Sequence, residues 1–442
     1  MGERKINVAI EADDKNLVGV DLSHPENGNV GVGGSTYANV LLAYMLSTMC
    51  DNQYKVTIYH VNKDVKLPKK CFSETSDVEN KLVEIAAENH EDIYICNMNR
   101  DESWHEAVAG LNIRIIIWSH CYIERFYEYR AMIHTEQIKR IICVSHEECD
   151  YFYDSDIHKK MGVIHPALPN GKEKWKIRSR EDMREKRVTY IGSLVPQKGF
   201  GILASIWPYV VKRVPDAHLY VIGSGKLYNR NQKLGEFGIA EESFEKSFMH
   251  YLTDNDGKLN DSVTFCGLVD SSQKDLLMSE TYVGVVNPSA KTENCCMCAV
   301  EFESQGVPVV SKGKHGMVEV ILNKKSGLLS YSKKRLAKNI IHLLQNEELN
   351  VEYGNNAVTF AENFSPNRLV KEWEDLLNSV YHDKGIEEIG ISGYLFNDRK
   401  WLRCFNRFFR RTLGIKCIPS IFEWDYYIKS IAHKIKRLLV NV

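Results

Sequence analysis

Short aliphatic and β-branched runs alternate along this chain with segments whose apolar positions recur every three or four residues. The runs fall at 56–61, 92–96, 114–118 and 140–144 in the first half, and at 188–191, 219–222, 263–265, 283–286 and 307–310 in the second. Runs of strand length, separated by helical patterns, predict parallel sheets covered on both faces. Between the halves, Pro166-Ala167-Leu168-Pro169-Asn170-Gly171 and the charged stretch 172–187 have the punctuation of a linker. After Ser365-Pro366, a cap followed by proline at the first helical position, Leu369, Val370, Trp373, Leu376, Leu377 and Val380 fall on one helical face. The pattern predicts an α/β protein of two units, 1–175 and 184–364, with a helix at 365–382 and a helical tail at 383–442.

Composition narrows the class. A chain of 442 residues exceeds what one core organises. A hydrophobic fraction of 44% with 26% charged residues describes a globular protein, and a net charge of −1 gives no general attraction for nucleic acid. No apolar run approaches the ~20 residues of a membrane span. The start, Met1-Gly2-Glu3-Arg4-Lys5, lacks an apolar signal core, and Ile6 stands where a myristoylation signal needs Ser or Thr. The 12 cysteines are scattered, with Cys96, Cys143 and Cys266 inside strand-like runs. Cys295-x-x-Cys298 lacks a second pair, so reduced thiols at a helix start are preferred to a metal site. The expected compartment is the reducing cytosol.

Candidate chemistry concentrates in the strand–loop–helix–strand stretch from Val285 to Val310. There Glu293 and Glu301 bracket Asn294-Cys295-Cys296-Met297-Cys298-Ala299-Val300. A loop placed after a strand of an open α/β sheet lies where such sheets bind ligands. Acidic residues near a helix start also complement its dipole, so the pair alone is a weak signal. Gly31-Val32-Gly33-Gly34-Ser35-Thr36 precedes a helical pattern, where exposed backbone N–H groups suit an anion, although a plain glycine turn explains it equally. The spacing is not that of the dinucleotide fingerprint. His120 closes the run Ile115-Ile116-Ile117-Trp118-Ser119, where a satisfied structural histidine is the usual finding. Lys198 follows a strand and turn in Thr189-Tyr190-Ile191-Gly192-Ser193-Leu194-Val195-Pro196-Gln197-Lys198-Gly199.

These segments, with Leu219-Tyr220-Val221-Ile222-Gly223-Ser224-Gly225, Val263-Thr264-Phe265-Cys266-Gly267 and then Gly316, Glu319 and Gly327, make the chain resemble a family 4 retaining glycosyltransferase from about 188 to 381. The resemblance implies the GT-B architecture: two Rossmann-like domains facing a cleft, with the helix at 365–382 crossing back to the first. It implies catalytic roles for Glu293, Lys198 and His120. Donor binding would fall to Gly33, Gly34, Ser193, Gly223, Gly267, Asn294, Cys295, Cys296 and Glu301. In that reading Lys198 and the backbone N–H groups of 294–296 meet a diphosphate, Glu293 grips the donor sugar, Glu301 the ribose, and His120 a sugar hydroxyl. No metal or other cofactor is implied. The partners would be a nucleotide sugar and a glycan or lipid-linked acceptor, in cell-surface polysaccharide or lipopolysaccharide-type glycolipid synthesis. The sequence departs from the family at Ser193, where an arginine is usual, and at Asn294 and Cys296, where glycines are frequent. A non-hydrolysing nucleotide-sugar epimerase and a catalytically silent nucleotide-sugar-binding scaffold are the rival readings.

The last segment stands apart. From Asp398 to Val442, eleven basic residues oppose three acidic ones, giving +8 and leaving −9 for the rest of the chain. Trp401, Leu402, Phe405, Phe408, Phe409 and Leu413 recur at helical spacing, as do Trp424, Tyr427, Ile428, Ile431, Ile435 and Leu438. Basic helices with aromatic faces suit an anionic membrane surface. The expectation is electrostatic, peripheral attachment through 398–442, with packing of both helices on the enzyme as the alternative.

Overall fold

The computed structural model describes residues 4–17, 19–171, 175–177, 179, 185–291, 293–385, 387–393 and 399–440, with the backbone alone for 436–440. The first three residues, most of the charged stretch after Gly171, Asp398 and the side chains of Lys436, Arg437 and Leu438 lie outside that description.

Two parallel sheets organise the chain. The first is built from β1 (Ile6–Glu11), β2 (Tyr54–His60), β3 (Phe72–Thr75), β4 (Ile93–Cys96), β5 (Arg114–Ser119), β6 (Ile138–Cys143) and β7 (Met161–Val163), in the order β3-β2-β1-β4-β5-β6-β7. The second holds β8 (Lys186–Ile191), β9 (Ala217–Ile222), β10 (Val263–Gly267), β11 (Val283–Val286), β12 (Val309–Lys312) and β13 (Gly327–Ser330), in the order β10-β9-β8-β11-β12-β13. All the pairings are parallel, with helices on both faces, so the architecture is GT-B: two Rossmann-like domains facing a cleft. Each sheet reverses its strand order once, between β1 and β4 and between β8 and β11. Open α/β sheets bind ligands beyond the strand ends at such a reversal.

Alternation along single strands builds the cores. In β5, Ile115 and Ile117 enter one cluster while Ile116 and Trp118 enter the cluster on the other face. In β12, Val309 and Val310 divide in the same way. The helix Pro366–Tyr381 buries Leu369, Val370, Trp373, Leu376, Leu377 and Val380 in the first domain's core, although it follows the second domain in sequence.

The sequence pattern misses β1, β3, β7 and β13. β3 is wholly exposed, β7 has three residues, and β1 carries Asn7 and Glu11 within an otherwise apolar run. The run at 307–310 shifts to Val309–Lys312, because Pro308 has no N–H to give a ladder. The presumed linker also differs. Ala167 and Leu168 are buried, Leu168 N–H donates to Phe364 O at 2.8 Å, and Lys186 and Arg187 at the end of the charged stretch already belong to β8.

Candidate active site

Two loops follow the two strands at the second sheet's reversal, and they are knitted together. After β8, Pro196–Lys198 form a single turn and Gly199, at φ +71°, opens the helix Phe200–Arg213. A Cβ at Gly199 would lie 2.5 Å from the Ser289 amide nitrogen, so only glycine lets the loops approach this closely. Ser289 Oγ donates to Gln197 O at 2.5 Å across the gap. After β11, Asn287 and Ala290 take positive φ values of 30° and 55°, folding the chain back so that Glu293 faces Lys198. Lys198 Nζ lies 2.7 Å from Glu293 Oε2, and Asn287 Nδ2 donates to the same oxygen at 2.8 Å. Burial opposes the lysine charge, but Glu293 more than offsets it and holds the Lys198 pKa above the ordinary lysine value.

This pair lies on the wall of a cavity of about 700 Å³ between the domains, within the range of small-ligand sites. All twelve residues singled out from the sequence line it: Gly33, Gly34, His120, Ser193, Lys198, Gly223, Gly267, Glu293, Asn294, Cys295, Cys296 and Glu301. From the first domain, Gly33 and Gly34 begin the helix Gly34–Met49 and His120 follows β5. Burial pushes the His120 pKa down to about 3, so its ring is neutral. Its Nε2 is buried without a hydrogen-bond partner, and the ring packs on Trp118 with centroids 4.5 Å apart. Trp118 meets Trp373 of the crossover helix edge-on at 5.0 Å, which ties that helix to the site. On the opposite wall Gly223 has φ +135°, and a Cβ there would fall 2.0 Å from Gly192 O.

The helix after Glu293 begins later than its sequence suggests. It runs Met297–Ser304 with Cys296 as its cap residue, and the Cys296 side chain makes no capping bond. The positive end of its dipole therefore sits at Met297, not at Asn294, and Glu301 stands one turn into the helix. Ser193 supplies no replacement for an arginine: it is buried, with Oγ directed to Ser224 O at 3.5 Å. All twelve cysteines are free thiols, and burial pushes Cys298 up to about 12 and Cys295 and Cys296 well above the usual thiol range. These are protonated, unreactive walls of the cavity.

Several partners have no signature in the sequence. Lys274 Nζ pairs with Glu301 at 2.8 Å inside the cavity, 27 positions away. Asp13 and Asn16 line the cavity from the first domain. The turn His146-Glu147-Glu148 joins the domains: Glu319 accepts from the His146 and Glu147 amides at 2.8 and 2.9 Å, and Glu147 meets His315 at 3.1 Å. Glu148, fully buried, accepts from Ser119 Oγ at 2.7 Å and from Asn294 Nδ2 at 3.0 Å. Desolvation raises its pKa to about 8. Donor atoms of His146, His165 and Glu319 lie within 4.8 Å of one another, close enough to hold a metal ion, and are linked here by hydrogen bonds to Glu319 of 3.0 and 3.1 Å.

Residues 171–360 match the family model of glycosyl transferases group 1, spanning the second domain and all of its cavity-lining residues from Tyr190 to Glu301. An uncharacterized glycosyltransferase of Haemophilus influenzae is 24% identical over 336 residues, covering 73% of this chain and 86% of that relative. Among solved structures, the sucrose-phosphate synthase of Thermosynechococcus elongatus superposes with a TM-score of 0.63 at 14% identity, over 86% of this chain and all of that one. A glycosyltransferase of Rickettsia africae gives 0.64 at 13% identity over 86% and 99%. Anabaena HepE in complex with UDP gives 0.60 at 14% over 85% and 100%. The family match thus covers the second domain, and the likeness to the solved structures shows the GT-B fold.

Proposed function

We propose that this protein is a retaining glycosyltransferase that moves a sugar from a nucleoside-diphosphate donor to an acceptor hydroxyl, without a metal ion. The Lys198–Glu293–Asn287 cluster, set opposite a neutral His120 across the cleft, carries the reading. A half-buried ammonium already oriented by a carboxylate is a preorganised charge, the kind of group that stabilises a departing diphosphate without reorganising during reaction. Bond breaking at the anomeric carbon releases the diphosphate, and the acceptor oxygen attacks from the same face. The acceptor proton passes to a phosphate oxygen of the leaving group, so the anomeric configuration is kept. Glu293 orients Lys198 and grips the donor sugar, and the open Nε2 of His120 accepts from a sugar hydroxyl. Glu301, held by Lys274, binds the ribose hydroxyls.

The acceptor we assign is a glycan or lipid-linked intermediate of cell-surface polysaccharide or glycolipid synthesis. UDP sugars are the first donors to test, because one structural neighbour, Anabaena HepE, is solved in complex with UDP and with UDP-glucose. Incubation with a panel of nucleotide sugars, with and without acceptor extracts, tests the reaction. Free nucleotide that appears only with acceptor, and an α-linked product from an α-linked donor, support the proposal. An isomerised donor would mean epimerisation instead, and unchanged donor in every mixture would leave only a binding protein.

A further inference from the structure

The tail is folded inside out. In the helix Lys400–Arg407 and the turn Phe408–Thr412 that extends it, the polar stripe faces the first domain. Arg403 pairs with Asp154 at 3.3 Å and lies over the Tyr151 ring, and Asn406 Nδ2 donates to Asp154 at 2.7 Å. Arg410 pairs with Asp156 at 2.9 Å, while Arg407 and Arg411 share Glu388. The apolar stripe is left outside: Trp401 is 85% exposed and Phe405 63%, beside exposed Leu402, Phe408 and Leu413. The second helix, Ile421–Val440, is anchored at its first turn, where Ile421, Phe422 and Glu423 are buried. Beyond that turn its described side chains are exposed or half-exposed. Trp424, Ile428 (59% exposed), Ile431 (58%) and Ile435 form one stripe, with Tyr427, packed against Phe126, and Lys434 at its edge and Lys429 on the far side.

From this inversion we infer that the two apolar stripes form an insertion surface for the interface of a lipid bilayer carrying anionic headgroups. Leaving Trp, Phe and Ile in water while arginines are buried makes sense only if another apolar phase receives the outer face. Aromatic and aliphatic residues on one side with lysines on the other are the marks of a helix lying in a membrane interface. No helix among the described residues is long and apolar enough to cross a membrane, so the contact is with a surface. Charge favours lipid over a second copy of the chain. Between Trp424 and Val440 the sequence has four basic residues against Asp425, which already pairs with Arg399 at 2.5 Å. Two copies would bring like charges together, whereas anionic headgroups complement them. The arginines of the first tail helix are occupied by internal pairs, so attachment is mainly apolar and only partly electrostatic.

Co-sedimentation of the 442-residue chain with phosphatidylcholine and phosphatidylglycerol vesicles, at low and at molar salt, tests the surface. The expected result is binding to both, tighter on phosphatidylglycerol, with a fraction surviving molar salt, where the Debye length is only about 3 Å. The double substitutions Trp401→Ser with Phe405→Ser, and Ile428→Ser with Ile431→Ser, should each lower partitioning by roughly tenfold or more. Because these residues are exposed, the melting temperature and nucleotide release with a soluble acceptor should not change, which separates this test from that of the reaction. Vesicle binding that is absent, or that ignores both double substitutions, overturns the inference. So does a dimer that these substitutions convert to monomer without any vesicle binding, which would assign the surface to a second copy.

Discussion

Lys198 and Glu293 are a single unit, since one carboxylate oxygen receives both the ammonium and the Asn287 amide. Replacing either by alanine should lower kcat by about 10²–10³ with the fold intact, the usual cost of removing a preorganised electrostatic contact. Steady-state kinetics beside a melting curve check this, and near-normal turnover in either variant removes that residue from the mechanism. Lys274→Met should raise KM for the donor with little effect on kcat, because it orients Glu301 for contacts made equally in ground and transition states. Glu148 gives a pH signature. Its carboxyl is shifted from about 4.5 to about 8 on folding, so the folded state retains a proton that the unfolded chain releases. Stability from this group is greatest below pH 4.5 and falls as pH rises towards 8. In Glu148→Gln that decline should vanish, the Asn294 amide turning so that its unpartnered Oδ1 accepts from the glutamine. Thermal unfolding of both proteins across this range measures it; parallel profiles would refute the assignment. Lys198, Glu293 and His120 were legible because each follows a strand in a recognisable segment. Asn287, Lys274 and Glu148 were not, because their roles depend on partners brought close only by the fold.

At the scale of elements, most parallel strands were legible because burial on both faces made them continuously apolar, but β1, broken by Asn7, and the short β13 were not, although both are buried. β3 and β7 escaped because short or exposed edge strands need no such run. The glycine positions were visible, but the reasons for them were not. Gly223 keeps the ends of β8 and β9 together against Gly192 O, so Gly223→Ala should separate them and weaken donor binding and stability together. Calorimetry and melting curves on that variant read both effects. The tail marks the limit of periodicity as a guide. Spacing located its apolar stripes, but which side faces the enzyme is decided by Asp154, Asp156 and Glu388, more than two hundred positions away in the first two cases. Four of its arginines are spent in ion pairs inside the molecule, which leaves less charge for the electrostatic attachment expected from the sequence. Arg403→Met should cost about 3–5 kcal/mol, because it leaves Asp154 buried without its cation. Chemical denaturation checks that value, and a change under 1 kcal/mol would show the tail to be loosely held.

Across the whole molecule, two sheets present their reversal points to one cavity, and the crossover helix returns to the first core to fix their arrangement. The turn His146-Glu147-Glu148 meets Glu319, His315 and Asn294 of the opposite domain, so the loop carrying Glu293 is coupled to the closeness of the domains. Such a cleft excludes water from a reactive donor when closed. In the proposed reaction this cleft holds a nucleoside diphosphate against Lys198. Melting curves of the wild-type chain and of Lys198→Ala with a panel of nucleoside diphosphates test it most directly, because a ligand at 100 times its Kd stabilises the native state by about 2.7 kcal/mol. At least one diphosphate should raise the wild-type melting temperature by several degrees while leaving Lys198→Ala almost unmoved. If no diphosphate shifts the wild type, or the variant responds as fully as the wild type, the cavity is not the donor site described.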